Sequence, residues 1–202
     1  MIEDIMFTFD KNFLRLNNLI GLYRSLSTGS GRRPTNSLDV LRATTVLAHS
    51  TLEDYLRNLL MWRLPLQNRD KITHIPLTGT SANGRPTKFS LGDLVAHRGE
   101  TVDNVIMSSI RDYLGMQSFN DTSEIAAALS SISLPVTPEI QDIFPTLNEM
   151  IIRRHNIVHR ADRDVNTGRG HHKIKSISIQ KVEKWKKSID QVVFEINKNF
   201  IS

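Results

Sequence analysis

Apolar residues recur at three- and four-residue steps along most of this chain, the spacing of one face of an α-helix. Phe9, Phe13, Leu16, Ile20 and Tyr23 predict a first amphipathic helix over residues 3–28. Gly29-Ser30-Gly31-Arg32-Arg33-Pro34 ends it with a flexible link. A second helix starts near Asn36 or Ser37, either of which can cap it. Leu38, Leu41, Thr45, Ala48, Leu52, Tyr55, Leu59 and Trp62 then form an unbroken seam, which Pro65 stops. Such a seam wants a partner along its whole length.

The middle of the chain is less regular. Pro65, Pro76, Pro86, Gly79 and Gly84 predict a long loop over 65–90. Ser90 to Ala96 reads as a short helix, and Thr101-Val102-Asp103 opens another that runs to about Tyr113. Asp121-Thr122-Ser123-Glu124 has the form of a capping box before Ile125 to Ile132. After Pro135 and Pro138 a helix runs from about Glu139 or Phe144 to Arg160. Asp162 to His172 reads as a polar loop. The last helix spans about Ile179 to Phe200, with Val182, Trp185, Ile189, Val192, Ile196 and Phe200 as its stripe. Trp62 and Trp185 lie on apolar stripes and belong to the core or an interface. The expected fold is all-α: an up-and-down helical bundle with an irregular loop insertion around residues 65–90. Residues 1–202 form one helical domain, with 1–35 as N-terminal helix and linker, 36–202 as bundle core and 144–160 as the key helix.

Charge changes this picture. Residues 1–150 hold 14 Lys/Arg against 16 Asp/Glu, whereas 151–202 hold 12 against 5. A basic end of this kind suits a polyanion such as a nucleic-acid backbone, or else forms a solvated lysine-rich face. There is no cysteine, so disulfides, zinc ribbons and thiol nucleophiles are excluded. The start, Met1-Ile2-Glu3-Asp4, is acidic where a secretory signal is basic. No apolar run approaches the roughly 20 residues of a membrane helix. The expected location is cytoplasmic, with no membrane partner. Gly79-Thr80-Ser81-Ala82-Asn83-Gly84 is not a phosphate-binding loop, because no Gly-Lys-Ser/Thr follows it.

The chemistry concentrates in Ile151-Ile152-Arg153-Arg154-His155-Asn156-Ile157-Val158-His159-Arg160-Ala161-Asp162, with three arginines and two histidines within residues 151–160. Phe144, Leu147, Ile151, Arg154, Val158 and Ala161 fall in one row, so Arg154 interrupts the apolar stripe itself. A guanidinium there is costly unless it meets an anion. His155 and His159 are neighbours at i,i+4. Arg153, Asn156 and Arg160 point to the opposite, wetter side. Arg154 and His159 lie about 140° apart around a regular helix. Either the arginine leans over, the helix loosens at its end, or the two residues meet across a symmetric interface. On the second helix His49, Glu53 and Arg57 lie at four-residue steps. Glu53 is a candidate partner for Arg154 if the helices pack, or forms a surface pair with Arg57.

Arg154-His155-Asn156-Ile157-Val158-His159 resembles the R-x4-H signature of HEPN domains, with a polar residue directly after the arginine. Leu52-Glu53-Asp54-Tyr55-Leu56 is similar to the acidic helix of one HEPN branch, RiboL-PSP, where the motif is followed by a stretch like Arg160-Ala161-Asp162-Arg163. The resemblance spans roughly residues 36–200. It implies a helical bundle that pairs as a homodimer, with two motifs facing a shared basic cleft. It also implies a metal-independent endoribonuclease of the toxin–antitoxin, antiviral or CRISPR-linked kind. Carried over by position, Arg154 and His159 are the catalytic pair, His155 is the polar residue after the arginine, and Glu53 orients Arg154 or His159, with Asp54 adjacent. Arg153, Asn156 and Arg160 are the expected RNA contacts. An antitoxin or regulatory protein is the expected further partner.

The residue types suit this chemistry on their own. RNA carries its own nucleophile, the 2′-OH. Histidine titrates near neutrality and can act as base or acid. Arginine gives bidentate donors to phosphate. No cofactor and no metal are called for, and the product expected is a 2′,3′-cyclic phosphate. Two other readings stay open. His155 and His159, with His171-His172 nearby, have zinc-compatible spacing, but no Glu follows the first histidine and no third ligand is evident. Alternatively the chain is a non-catalytic helical dimerisation, RNA-binding or regulatory module, with Arg154 in a buried bridge to Glu53. His171, His172 and Arg169, in the loop after the key helix, could also reach RNA. The second helix's seam is more apolar than one partner needs, so part of it, or the key helix, is expected to form the homodimer interface.

Overall fold

A computed structural model describes residues 1–27, 35–79, 91–164 and 173–200. Among these residues the protein is all-helical, with one isolated antiparallel bridge between Arg163 and Ile174. The α-helices are α1 (Ile2–Leu26), α2 (Thr35–Arg63), α3 (Arg69–Ile72), α4 (Val102–Met116), α5 (Thr122–Ser131), α6 (Pro138–Arg160) and α7 (Ile179–Asn197). No described helix is long and apolar enough to cross a membrane.

The caps follow from the sequence. The side chains of Thr101, Asp121, Thr137 and Ser178 each accept a hydrogen bond from the first turn of α4, α5, α6 and α7. At α5 Asp121 accepts from the Ser123 and Glu124 N–H groups, and Glu124 reaches back past the cap residue to accept from the Asn120 N–H, a variant of the expected capping box. Pro138 sits at the start of α6, where its missing N–H costs nothing. The α2 helix is already formed at Thr35, so Asn36 and Ser37, expected as caps, lie in its first turn.

The seam of α2 is used up inside the protomer. Leu41, Ala48, Leu52, Tyr55, Leu56, Leu59 and Leu60 are all buried. The helix packs against α1, α6, α7, α4 and α5. This corrects the expectation that part of the seam faces a second copy: its excess apolar surface exists because α2 is the central helix, surrounded on several sides. Ile5, Phe9, Leu16 and Tyr23 of α1 belong to the same core as Leu147, Ile151, Trp185 and Ile189. Trp185 is buried and donates to Glu149 Oε2 at 3.0 Å, and Trp62 packs its ring on Phe200.

The irregular segment after α2 contains 3-10 turns at Leu64–Leu66 and Leu91–His97 and the short α3. Residues 80–90 of the expected loop lie outside the described residues, as do 28–34 of the first link and 165–172, which include Arg169, His171 and His172.

Candidate functional site

The core-facing stripe of α6 runs Ile140, Leu147, Ile151 and then Arg154. The helix leaves the bundle at this point, so Val158, the next apolar residue in the row, is 49% exposed. Arg154 therefore ends the stripe and does not interrupt it. It is half-buried, and its Nε is shut away from water without a hydrogen-bond partner. No ion pair or hydrogen bond engages Arg154 among the described residues. Arg57, Arg63 and Arg153 also bury an unpaired Nε, but Arg57 and Arg153 are engaged through other donors and Arg63 lies over two aromatic rings. Among the described residues Arg154 is the one of the four with neither, which leaves its fork open to an anion.

His155 and His159 lie exposed beside it, with ring centroids 4.6 Å apart. Arg160 is exposed, Asn156 is partly covered, and Ile152 is 53% exposed on the same stretch. The helix loosens only after this group. The Ala161 and Asp162 N–H groups both turn onto the Asn156 carbonyl, a wider closure than the α-helical one. That loosening comes beyond His159, so it does not swing His159 toward Arg154. No described bond joins the two.

Two sequence expectations are corrected. Arg153 does not point to the wet side. It donates to Asp162 Oδ2 at 2.7 Å and to the Lys175 and Ser176 carbonyls at 2.9 Å each. The unwound end of α6 folds back under Arg153 and covers it, which helical periodicity could not anticipate. Glu53 does not partner Arg154 or His159. Its Oε2 lies 3.5 Å from His49 Nδ1, its Oε1 accepts from the Phe119 N–H at 3.3 Å, and Arg57 is 3.9 Å away. The four-residue ladder on α2 is real, but it faces the segment joining α4 to α5. Burial alone would raise the Glu53 carboxyl; the His49 imidazole, the Phe119 N–H and Arg57 together outweigh burial and hold it below its ordinary value. Asp54 turns the other way and accepts from Asn12 of α1.

The residues that sequence reasoning missed are Arg42 and Asp162. Asp162 is 0% exposed. Its Oδ2 accepts from Arg42 Nε at 2.8 Å and from Arg153 at 2.7 Å. Arg42 also donates to Asp39 at 3.0 Å and to the Lys175 carbonyl at 2.9 Å. Two carboxylates thus meet two guanidinia and backbone carbonyls take up several donors, while Asp162 Oδ1 and Arg153 Nε stay buried without a partner, so the cost of burying these charges is offset only in part. Ala161 and Asp162 both adopt left-handed backbone, with φ of 47° and 57°. Each such non-glycine residue costs roughly 1 kcal/mol, and the clamp holds them there. It pins the start of α2, the end of α6 and the approach to α7 together.

No protein-family model, curated protein or solved structure matches this chain. No group of three or more metal-binding side chains occurs among the described residues. His155 and His159 form a pair with no third donor grouped with them among the described residues. What the arrangement offers is a cation seeking an anion, two titratable rings within reach of solvent, and a rigid backing.

Proposed function

We propose that this protein is a metal-independent endoribonuclease whose active site is the exposed end of α6. The observation that supports it most is Arg154, half-buried and without an ion pair or hydrogen bond among the described residues, while one Nη of its neighbour Arg153 is bound to Asp162 and two backbone carbonyls. A phosphodiester supplies the planar oxygen pair that a guanidinium fork fits. In this reading Arg154 holds the scissile phosphate and stabilises the crowded phosphorane. His159 removes the 2′-OH proton or protonates the leaving 5′-oxygen, and His155, whose ring is tilted 45° against it, takes the complementary role or tunes it. Arg160 and Asn156 bind the flanking backbone. The bond between phosphorus and the 5′-oxygen breaks as the 2′-oxygen attacks, leaving a 2′,3′-cyclic phosphate. Arg153 has no part in RNA contact and Glu53 none in the reaction.

The resemblance to HEPN domains points the same way, and it adds a homodimer with a shared cleft and a toxin or antiviral setting with a neutralising protein. Exposed Ile152 and Val158 beside the basic group support an interface at α6. A second protomer would also bring an Arg154 and a His159 to one axis despite their 140° separation on one helix.

The test is incubation of the purified protein with total RNA in excess EDTA, beside Arg154→Ala and His159→Ala. Cleavage by the wild type, lost in both variants and leaving cyclic phosphate ends, supports the reading. A folded wild type that leaves RNA intact, or that cuts DNA as readily, overturns it, and the non-catalytic binding module then stands.

A further inference from the structure

A groove of about 490 Å³ lies between the first turns of α1 and the last turns of α7, and it is lined unlike the rest of this basic chain. Met6, Phe9 and Val193 make an apolar floor, and Phe194, 62% exposed, forms one wall. Glu3, Asp10 and Asp190 stand exposed around the rim. None of these three carboxylates has an ion pair or hydrogen bond among the described residues. Two lysines near the groove are already engaged. Lys11 lies over the Phe7 ring, and Lys198 is held by Glu195 at 2.7 Å with its ammonium over Phe194.

Three free carboxylates over an apolar floor select by charge. A nucleic-acid strand or an anionic lipid surface is repelled by that rim. The α1 side of the groove runs from residue 2 to residue 10, roughly 12 Å at 1.5 Å per residue, or about two helical turns. We propose that the groove docks a cationic amphipathic helix of a partner protein. Two or three apolar residues at i, i+3 and i+4 spacing sit on Met6, Phe9 and Val193, and flanking Lys or Arg side chains pair with Glu3, Asp10 and Asp190. The surface is separate from the α6 site and independent of the nuclease reading.

The probe is a fluorescein-labelled Leu/Lys amphipathic helical peptide of about four turns, with a Leu/Glu counterpart of the same pattern, measured by fluorescence anisotropy. Three proteins are compared after circular dichroism confirms their folds: the wild type, Glu3→Lys/Asp10→Lys/Asp190→Lys, and a control of equal net charge, Asp70→Lys/Asp103→Lys/Asp142→Lys. The expected result is binding of the Leu/Lys peptide by wild type and control, at least about tenfold weaker binding by the groove variant, and no binding of the Leu/Glu peptide. Phe194→Ser, an exposed change that spares the fold, weakens binding as well. Equal loss in control and groove variants would reduce the effect to overall charge and overturn the proposal. So would wild-type binding of both peptides, or of neither. Sedimentation showing a wild-type dimer that the groove variant abolishes, with no peptide bound, would assign the groove to a second copy instead and likewise overturn it.

Discussion

Arg153 and Arg154 are adjacent on one helix, yet they live in opposite circumstances. Arg153 has a carboxylate and two backbone carbonyls within 2.9 Å. Arg154 has none among the described residues, although a buried Nε goes unanswered in both. A step of 100° around the helix separates a residue that completes the fold from one that leaves an opening in it. Basic residues therefore cannot be weighed by their number. The clamp side spends its charge inside the molecule, and only the Arg154 side has charge left for a ligand.

The sharpest way to break this comparison is Asp162→Ala. It takes the shared carboxylate from two buried guanidinia, so unfolding in urea should show a loss of about 3–5 kcal/mol. A loss below about 1 kcal/mol would mean the clamp is not holding the end of α6. Next comes Arg154→Ala, for which the contrast predicts the reverse profile. Stability should stay within about 0.5 kcal/mol of wild type, while RNA cleavage falls by about 10²–10³-fold. If Arg154→Ala unfolds the protein instead, the arginine is structural and the comparison collapses.

Glu53→Gln gives a smaller effect and sharpens the boundary of the site. The Glu53 carboxyl is held below its ordinary value near 4.5, so its contribution is present above that pH and is lost as pH falls through the lowered value. The variant should therefore show a flatter loss of stability than wild type below about pH 4.5, measured by denaturant melts across pH. Its cleavage rate at neutral pH should be unchanged. A large rate loss with the fold intact would return Glu53 to the active site.

Much of the helical framework was legible in the chain. Thr101, Asp121 and the Pro138 start carry local signals, and the α6 and α7 stripes follow from periodicity. So does the presence of an arginine on the core row at 154. The placement of Glu53 was not legible. Four-residue spacing shows that His49, Glu53 and Arg57 share an edge of α2, but says nothing about which segment covers that edge. Asp162 was harder still. Its partner Arg42 lies 120 positions away, and its burial depends on two left-handed residues in a sequence without glycine at that turn. Ala161-Asp162 could be noticed in the sequence as part of a motif. Its role needed the tertiary structure.

The clamp grips the 175–176 segment by its main chain. Arg42 and Arg153 donate to the Lys175 and Ser176 carbonyls, and the Lys175 N–H returns a bond to the Asp162 carbonyl at 2.9 Å. Both side chains stay exposed. Recognition of this kind is blind to side-chain identity, so Lys175 and Ser176 should accept a wide range of replacements, including a change of charge. Proline at 175 is the exception, because it removes the one N–H that the turn uses. A saturation library across these two positions would then read as a flat field with a single hole.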